Sequence, residues 1–85
     1  MVARVIVYTT PFCGYCRMAV AYLGKKGIRP ELIDVSGDDE KREWLVETTG
    51  RRTVPQVFIN DQPVGGYTDL VALDRSGGLD PLLGL

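Results

Sequence analysis

The chain has 85 residues, 45% of them hydrophobic and 25% charged, with a formal net charge of -1. That length suits one small domain over residues 1–85, near the lower end for a core held without metals or several disulfides. The charge balance gives no reason to expect nucleic acid or an anionic membrane as partner. No apolar run approaches a membrane span, and the N-terminus lacks a signal-peptide pattern.

The first element is Val5-Ile6-Val7-Tyr8, an apolar, β-branched run that reads as a buried strand. The stretch Thr9-Thr10-Pro11-Phe12-Cys13-Gly14-Tyr15-Cys16-Arg17 comes next, and Met18 to Lys26 reads as a helix. Cys16, Ala19, Val20 and Leu23 fall at i, i+3, i+4 and i+7, on one face of it. Lys25 and Lys26 suit the negative end of the helix dipole, and Gly27 suits the left-handed closing position. Glu31-Leu32-Ile33-Asp34-Val35 reads as a second strand, parallel to the first through a right-handed crossover. Ser36 and Asp39 have the spacing of a capping box for a charged helix from Asp39 to about Thr49, with Trp44 or Leu45 facing inward and Gly50 closing it.

Val57-Phe58-Ile59 is a third strand, and Asn60-Asp61-Gln62-Pro63 is turn chemistry before a short return strand that begins at Val64. A third helix is expected from Leu70 to Arg75, with Thr68 as its N-cap and Asp69 in its first turn. Beyond Gly77-Gly78, a last helical turn would pack Leu79, Leu82, Leu83 and Leu85 onto the domain. The order is β-α-β-α-β-β-α, an α/β fold with a mixed sheet and helices on its faces.

Cys13 and Cys16 are the only cysteines, and there is no histidine. A single-chain zinc site, which needs about four ligands, is therefore disfavoured. A disulfide closing so short a loop would stabilise little. Two inert thiols are the remaining bland alternative. The placement argues for chemistry instead, because Cys13 sits where a strand turns into a helix. A thiolate there meets unpaired N–H groups and the positive end of the dipole, and the thiolate is the nucleophile. Cys16, one turn on, is placed to displace whatever Cys13 captures, so C-x-x-C within a βαβ pattern reads as a redox dithiol. A reactive dithiol without a signal peptide points to a reducing cytosol.

Cys13-Gly14-Tyr15-Cys16, Thr53-Val54-Pro55 and Gly65-Gly66-Tyr67-Thr68-Asp69 stand in the order and spacing of a bacterial dithiol glutaredoxin, which the chain resembles. The resemblance covers essentially the whole chain, including Gly77-Gly78-Leu79-Asp80-Pro81-Leu82-Leu83. It implies a thioredoxin-like fold with a four-stranded mixed sheet, and glutathione-dependent reduction of protein disulfides and protein–glutathione mixed disulfides through Cys13 and Cys16. It further implies a cis Val54–Pro55 peptide facing the dithiol, with the Val54 backbone free to pair an extended peptide such as the cysteine of glutathione. The implied glutathione contacts are Tyr15, Thr53, Val54, Pro55, Gly66, Tyr67, Thr68 and Asp69. The helix start would take a carboxylate and Asp69 an ammonium of the γ-glutamyl end. Gly65-Gly66 would let backbone approach the ligand closely. Arg51 and Arg52 are candidates for the glycyl carboxylate, and Arg17 for support of the Cys13 thiolate; each could equally be a solvated surface charge.

Two positions depart from the commonest family pattern. Thr10 stands where many members carry a lysine that attracts a glutathione carboxylate, and Gly14 where proline is usual. Some Cys-Gly-Tyr-Cys members resemble carriers that dimerise around a [2Fe–2S] centre, for which Cys13 would be the only protein ligand from each chain. A second rival is a redoxin fed by thioredoxin reductase and serving ribonucleotide reductase; the Gly-Gly-Tyr-Thr-Asp element argues against it. The leading expectation is a monomer acting on disulfide-containing or glutathionylated proteins.

Overall fold

In the computed structural model, which describes residues 3–85, the strands are β1 (Val5–Thr9), β2 (Glu31–Asp34), β3 (Gln56–Ile59) and β4 (Gln62–Gly65). The helices are α1 (Gly14–Lys25), α2 (Asp39–Thr49), α3 (Tyr67–Arg75) and α4 (Leu79–Leu83). The sheet runs β2-β1-β3-β4. β1 pairs parallel with β2, and antiparallel with β3, while β3 and β4 form an antiparallel hairpin. The mixed sheet and its helices are those expected.

Alternation along β1 builds the two layers. Successive side chains of a strand point to opposite faces, and here both faces are covered. Val5 and Val7 pack with Ala19 and Leu23 of α1, Leu70 of α3, and Leu79 and Leu83 of α4. Ile6 and Tyr8 pack on the other side with Val35, Phe58 and Leu45 of α2. Burial of each such aliphatic side chain is worth about 1.5–3 kcal/mol before the entropy of ordering is counted. Leu45 is the inward residue of α2, whereas Trp44 lies partly exposed, stacked on Phe58 with ring centroids 5.6 Å apart.

Several boundaries move from their expected places. α1 begins at Gly14, four residues before Met18, because Cys13 itself acts as the N-cap. The Ser36–Asp39 box does not form. The Asp34 carboxylate accepts the Ser36 N–H at 2.8 Å, and Asp38 caps α2 by accepting the Lys41 N–H at 3.0 Å. α3 begins at Tyr67 with Gly66 as N-cap, which places Thr68 inside the first turn. Asn60 and Asp61 both adopt positive φ, 50° and 67°, so the hairpin turn is tight and β4 starts at Gln62. Asn and Asp tolerate that region better than other non-glycine residues, and Pro63 is admissible because β4 is an edge strand. Of the terminal leucines only Leu79 and Leu83 are buried; Leu82 and Leu85 face solvent.

The far end of the domain from the β1–α1 turn is tied by charge. Lys26 Nζ lies 2.8 Å from Asp74 and 2.7 Å from Asp80, joining the end of α1 to α3 and α4. Tyr22 donates to the same Asp74 carboxylate. Those hydrogen bonds, from Lys26 first and Tyr22 second, hold the Asp74 carboxyl below its usual range.

Candidate active site

Strand β1 ends and α1 begins within a few residues, and this short turn fixes Cys13. Its backbone is extended (φ -114°, ψ 109°), and its sulfur accepts the Cys16 N–H at 3.2 Å. The thiol thus occupies the place of a capping oxygen, on one of the unpaired donors of the helix start. Both cysteines are free thiols. Cys13 is half-buried, whereas Cys16 is only 3% exposed. Burial, then its hydrogen bond with Cys13, pushes the Cys16 thiol up from its ordinary value. One sulfur is within reach of solvent and the other is kept protonated behind it.

The segment between α2 and β3 faces this turn. The Val54–Pro55 peptide is cis, as expected, and the Cys13 thiol donates to the Val54 carbonyl at 3.7 Å. Gln56 braces the segment. It is wholly buried, and its side-chain amide donates to the Thr53 carbonyl at 2.9 Å. Sequence reasoning missed it. The available signal was a polar residue opening an otherwise apolar strand, Val57-Phe58-Ile59.

The β4–α3 corner completes a groove of about 170 Å³. Tyr15, Thr53, Val54 and Pro55 line one side, Gly66, Tyr67, Thr68 and Asp69 the other, and Arg51 stands across it. Every residue expected to contact the ligand is therefore brought to one place. The Tyr15 ring is 60% exposed on the rim, 6.3 Å from the Tyr67 ring.

Gly65 has a use within the protein itself. Gly65 has φ 115°, and a Cβ there would lie 2.6 Å from Asp69 Oδ2. A Cβ on Gly66 would lie 3.4 Å from the Pro55 carbonyl oxygen. Gly65 makes room for the protein's own carboxylate, whereas a Cβ on Gly66 would meet only an ordinary contact. The Asp69 carboxylate then turns back to accept the Gly66 N–H at 2.9 Å.

Of the two arginines, Arg52 is the solvated surface charge, and Arg51 has a partner. Arg51 forms an ion pair with Asp69, and Arg52 reaches toward Glu43 at 3.9 Å. The Arg51 hydrogen bond, with that from Gly66, holds the Asp69 carboxyl below its usual range. Arg17 does not enter this groove. With Pro11, Val20, Leu32 and both cysteines it lines a larger, mainly apolar groove of about 450 Å³ on the other flank of the dithiol.

The protein-family model described as glutaredoxin matches residues 5–64, which contain the dithiol, the cis proline and most of the hairpin. The chain belongs to the glutaredoxin family. It is 48% identical over 81 residues to glutaredoxin 3 of Escherichia coli strain K12, covering 95% of this chain and 98% of that protein. Its structure matches a solution structure of glutaredoxin from Brucella melitensis with a TM-score of 0.84 at 46% identity, over 96% of this chain and 89% of that one. It also matches the crystal structure of a buckwheat glutaredoxin–glutathione complex, with a TM-score of 0.88 at 29% identity, over 96% and 77%. This glutaredoxin is a glutathione-dependent thiol–disulfide oxidoreductase with a thioredoxin-like fold.

Proposed function

We propose that Cys13 is the nucleophile, Cys16 the resolving thiol, and the Arg51–Asp69 groove the seat of glutathione, with glutathionylated and disulfide-bearing proteins as substrates. One observation carries this reading: Cys13 sulfur sits on the Cys16 N–H at 3.2 Å while facing the Val54 carbonyl at 3.7 Å. The nucleophile is thereby stationed at a helix start beside a backbone edge that suits an extended peptide.

With a protein–glutathione disulfide, the Cys13 thiolate attacks the glutathione sulfur. A Cys13–glutathione bond forms as the old disulfide breaks, and the protein leaves as a thiolate that takes a proton from water. A second glutathione thiolate then attacks the bound glutathione sulfur, giving oxidised glutathione and free Cys13. With a protein disulfide, Cys13 first forms a mixed disulfide with the protein. Cys16 then loses its proton to water, attacks the Cys13 sulfur and expels the second protein thiol. Two glutathiones restore the resulting Cys13–Cys16 disulfide. Burial suits Cys16 to this order, since it stays a thiol until the intermediate places a disulfide beside it.

A coupled assay with glutathione, glutathione reductase and a glutathionylated peptide tests the scheme. Cys13→Ser should lose all turnover, and Cys16→Ser should lose protein-disulfide reduction while retaining the mixed-disulfide reaction. Equal loss of both reactions in Cys16→Ser would sink the first route. Reduction supported by thioredoxin reductase and not by glutathione would overturn the glutathione reading. We place this chemistry in a monomer in a reducing cytosol, where such a dithiol can be returned to its thiol form.

One observation favours an additional state. Nothing lies within 4 Å of a Cβ built on Gly14, so the helix start beside Cys13 is open to a second molecule. Within one chain a [2Fe–2S] cluster has no home: among the described residues no group of three or more His, Cys, Asp or Glu could hold a metal. Cys13 from each of two chains with two glutathiones would supply four thiolates. Anaerobic reconstitution with iron, sulfide and glutathione should give a labile dimer that Gly14→Pro weakens; a cluster surviving Cys13→Ser would refute it.

A further inference from the structure

The larger groove, on the other flank of the dithiol, is lined by the nucleophile itself. It measures about 450 Å³ and lies between the β1–α1 turn, α1 and β2. Clefts that hold ligands run from roughly 300 to 1,000 Å³. Cys13, Arg17 and Val20 fall at i, i+4 and i+7, so the helix presents them in a row. Leu32 of β2 also lines the groove and is 54% exposed. Phe12, between the lining residues Pro11 and Cys13, is 95% exposed. Single exposed apolar side chains are ordinary, but several gathered at one cleft mark a binding surface.

The two charges in the lining are not equivalent. Asp34 already accepts the Ser36 N–H at 2.8 Å, which holds its carboxyl below the usual range. Arg17 forms no ion pair among the described residues, so its donors are open to a carboxylate. The groove is thus apolar with one uncommitted cation, and it is continuous with Cys13. Whatever occupies it during turnover has its sulfur on Cys13. With glutathione seated on the opposite flank, that occupant is the polypeptide of the disulfide.

Spacing sets the pattern such a polypeptide needs. From Cys13 to Arg17 the helix rises about 6 Å, and from Cys13 to Val20 about 10.5 Å. An extended segment advances about 3.3 Å per residue and turns alternate side chains to one side. A cysteine seated on Cys13 therefore brings the residue two positions away to Arg17. The next side chain on that face, four positions away, reaches Val20 and Leu32.

We propose that this groove docks the polypeptide of the substrate as an extended segment, with a carboxylate two residues and an apolar side chain four residues from its reactive cysteine. Arg17 takes the carboxylate, and Leu32 with Val20 takes the apolar side chain. The inference rests on the reading of Cys13 as the nucleophile.

The test uses the wild-type protein and glutathionylated pentapeptides with blocked ends, so that no terminal charge competes. The parent peptide is Cys-Ser-Glu-Ser-Leu, made in both chain directions, and glutathionylated cysteine serves as a reference without a segment. In the better direction, glutamine in place of the glutamate should raise KM about three- to fivefold, the scale of a partly exposed ion pair. Serine in place of the leucine should raise it about tenfold, the scale of burying one such side chain. The glutamate effect should fade in about 1 M salt while the leucine effect persists. Arg17→Glu should reverse the charge preference, so that a lysine peptide has a lower KM than the glutamate peptide. Leu32→Ser should erase the leucine effect.

Equal KM values across the peptides, all of them turned over, would overturn the proposal. So would a glutamate preference that survives Arg17→Glu, or an Arg17→Glu effect that is the same for every substrate, glutathionylated cysteine included, since that would assign Arg17 to the thiolate. Equal KM values together with a dimer in sedimentation that Leu32→Ser abolishes would give the groove to a second copy of the chain. A protein that turns over neither the peptides nor glutathionylated cysteine would instead remove Cys13 as the nucleophile, and this inference with it.

Discussion

The starts of α1 and α2 are built alike and do different things. Cys13 and Asp38 have similar φ, -114° and -108°, and each accepts the backbone N–H three residues on, at 3.2 and 3.0 Å. The two helices part company in the first turn beyond the cap. α2 places Asp39 and Glu40 there, so its positive end is met by carboxylates of the protein itself. α1 has no acidic residue in its first turn. Its field is left to the Cys13 sulfur, and the loop opposite supplies the Val54 carbonyl and the cis proline. Capping geometry is thus a local property available to many helices. A redox centre needs in addition an uncompensated helix end and a facing backbone edge.

The largest expected effect separates cap from nucleophile. Cys13→Ser retains a hydroxyl, a good N-cap group, so the thermal midpoint should be held within a few degrees while turnover vanishes. A large loss of stability would mean that the thiol is chiefly structural. Next, Cys16→Ser, Asp38→Cys and Cys13→Ser combined would carry a single thiol at the α2 cap. Alkylation should find it, yet mixed-disulfide turnover should stay at background, because the Val54 carbonyl and the groove beside it face Cys13 and not this cap. Measurable turnover there would make the cap alone sufficient.

A milder change makes α1 resemble α2. Gly14→Asp adds a carboxylate where a Cβ meets nothing within 4 Å. Alkylation of Cys13 at neutral pH should slow by about two- to fivefold, corresponding to roughly 0.3–1 kcal/mol of dipole compensation. An unchanged rate would mean that the uncompensated field does not activate the thiol.

Asp38→Ala should cost about 1 kcal/mol, or about 4–8 °C in midpoint for a domain of this size, with kcat untouched. Lost activity would tie α2 to the site. The smallest effect is in acid. Asp69 and Asp74 have folded carboxyl values below the ordinary range, set first by Arg51 and by Lys26 respectively. Their contribution is therefore present above about pH 4 and lost as pH falls through the lowered values. Denaturant melts from pH 6 to pH 2 should show that loss, and Asp74→Asn should flatten it.

The elements, their order along the chain and the dithiol are legible in the sequence because they rest on short-range pattern: β-branched runs, helical spacing and C-x-x-C. That the Cys13 sulfur itself caps α1 is not, since cysteine is not a usual capping residue. Arg51 reads toward the glycyl end in the sequence because its partner, Asp69, lies 18 residues away on another element. Gly65 reads toward the ligand for the same reason. Its neighbour is the Asp69 side chain, which no local pattern announces. The role of Gln56 depends on a loop that must already be folded.

Helix α4 has a consequence for synthesis. Leu79 and Leu83 are wholly buried against Val7 and Leu23, and the Leu83 carbonyl accepts the Ala3 N–H at 3.2 Å. Residues 79–83 therefore close a core whose first strand is synthesised long before them. A nascent chain held with these residues inside the ribosomal tunnel cannot complete that layer, so its apolar face stays available to chaperones. A ribosome-stalled series should gain protease resistance only once residue 83 has cleared the exit.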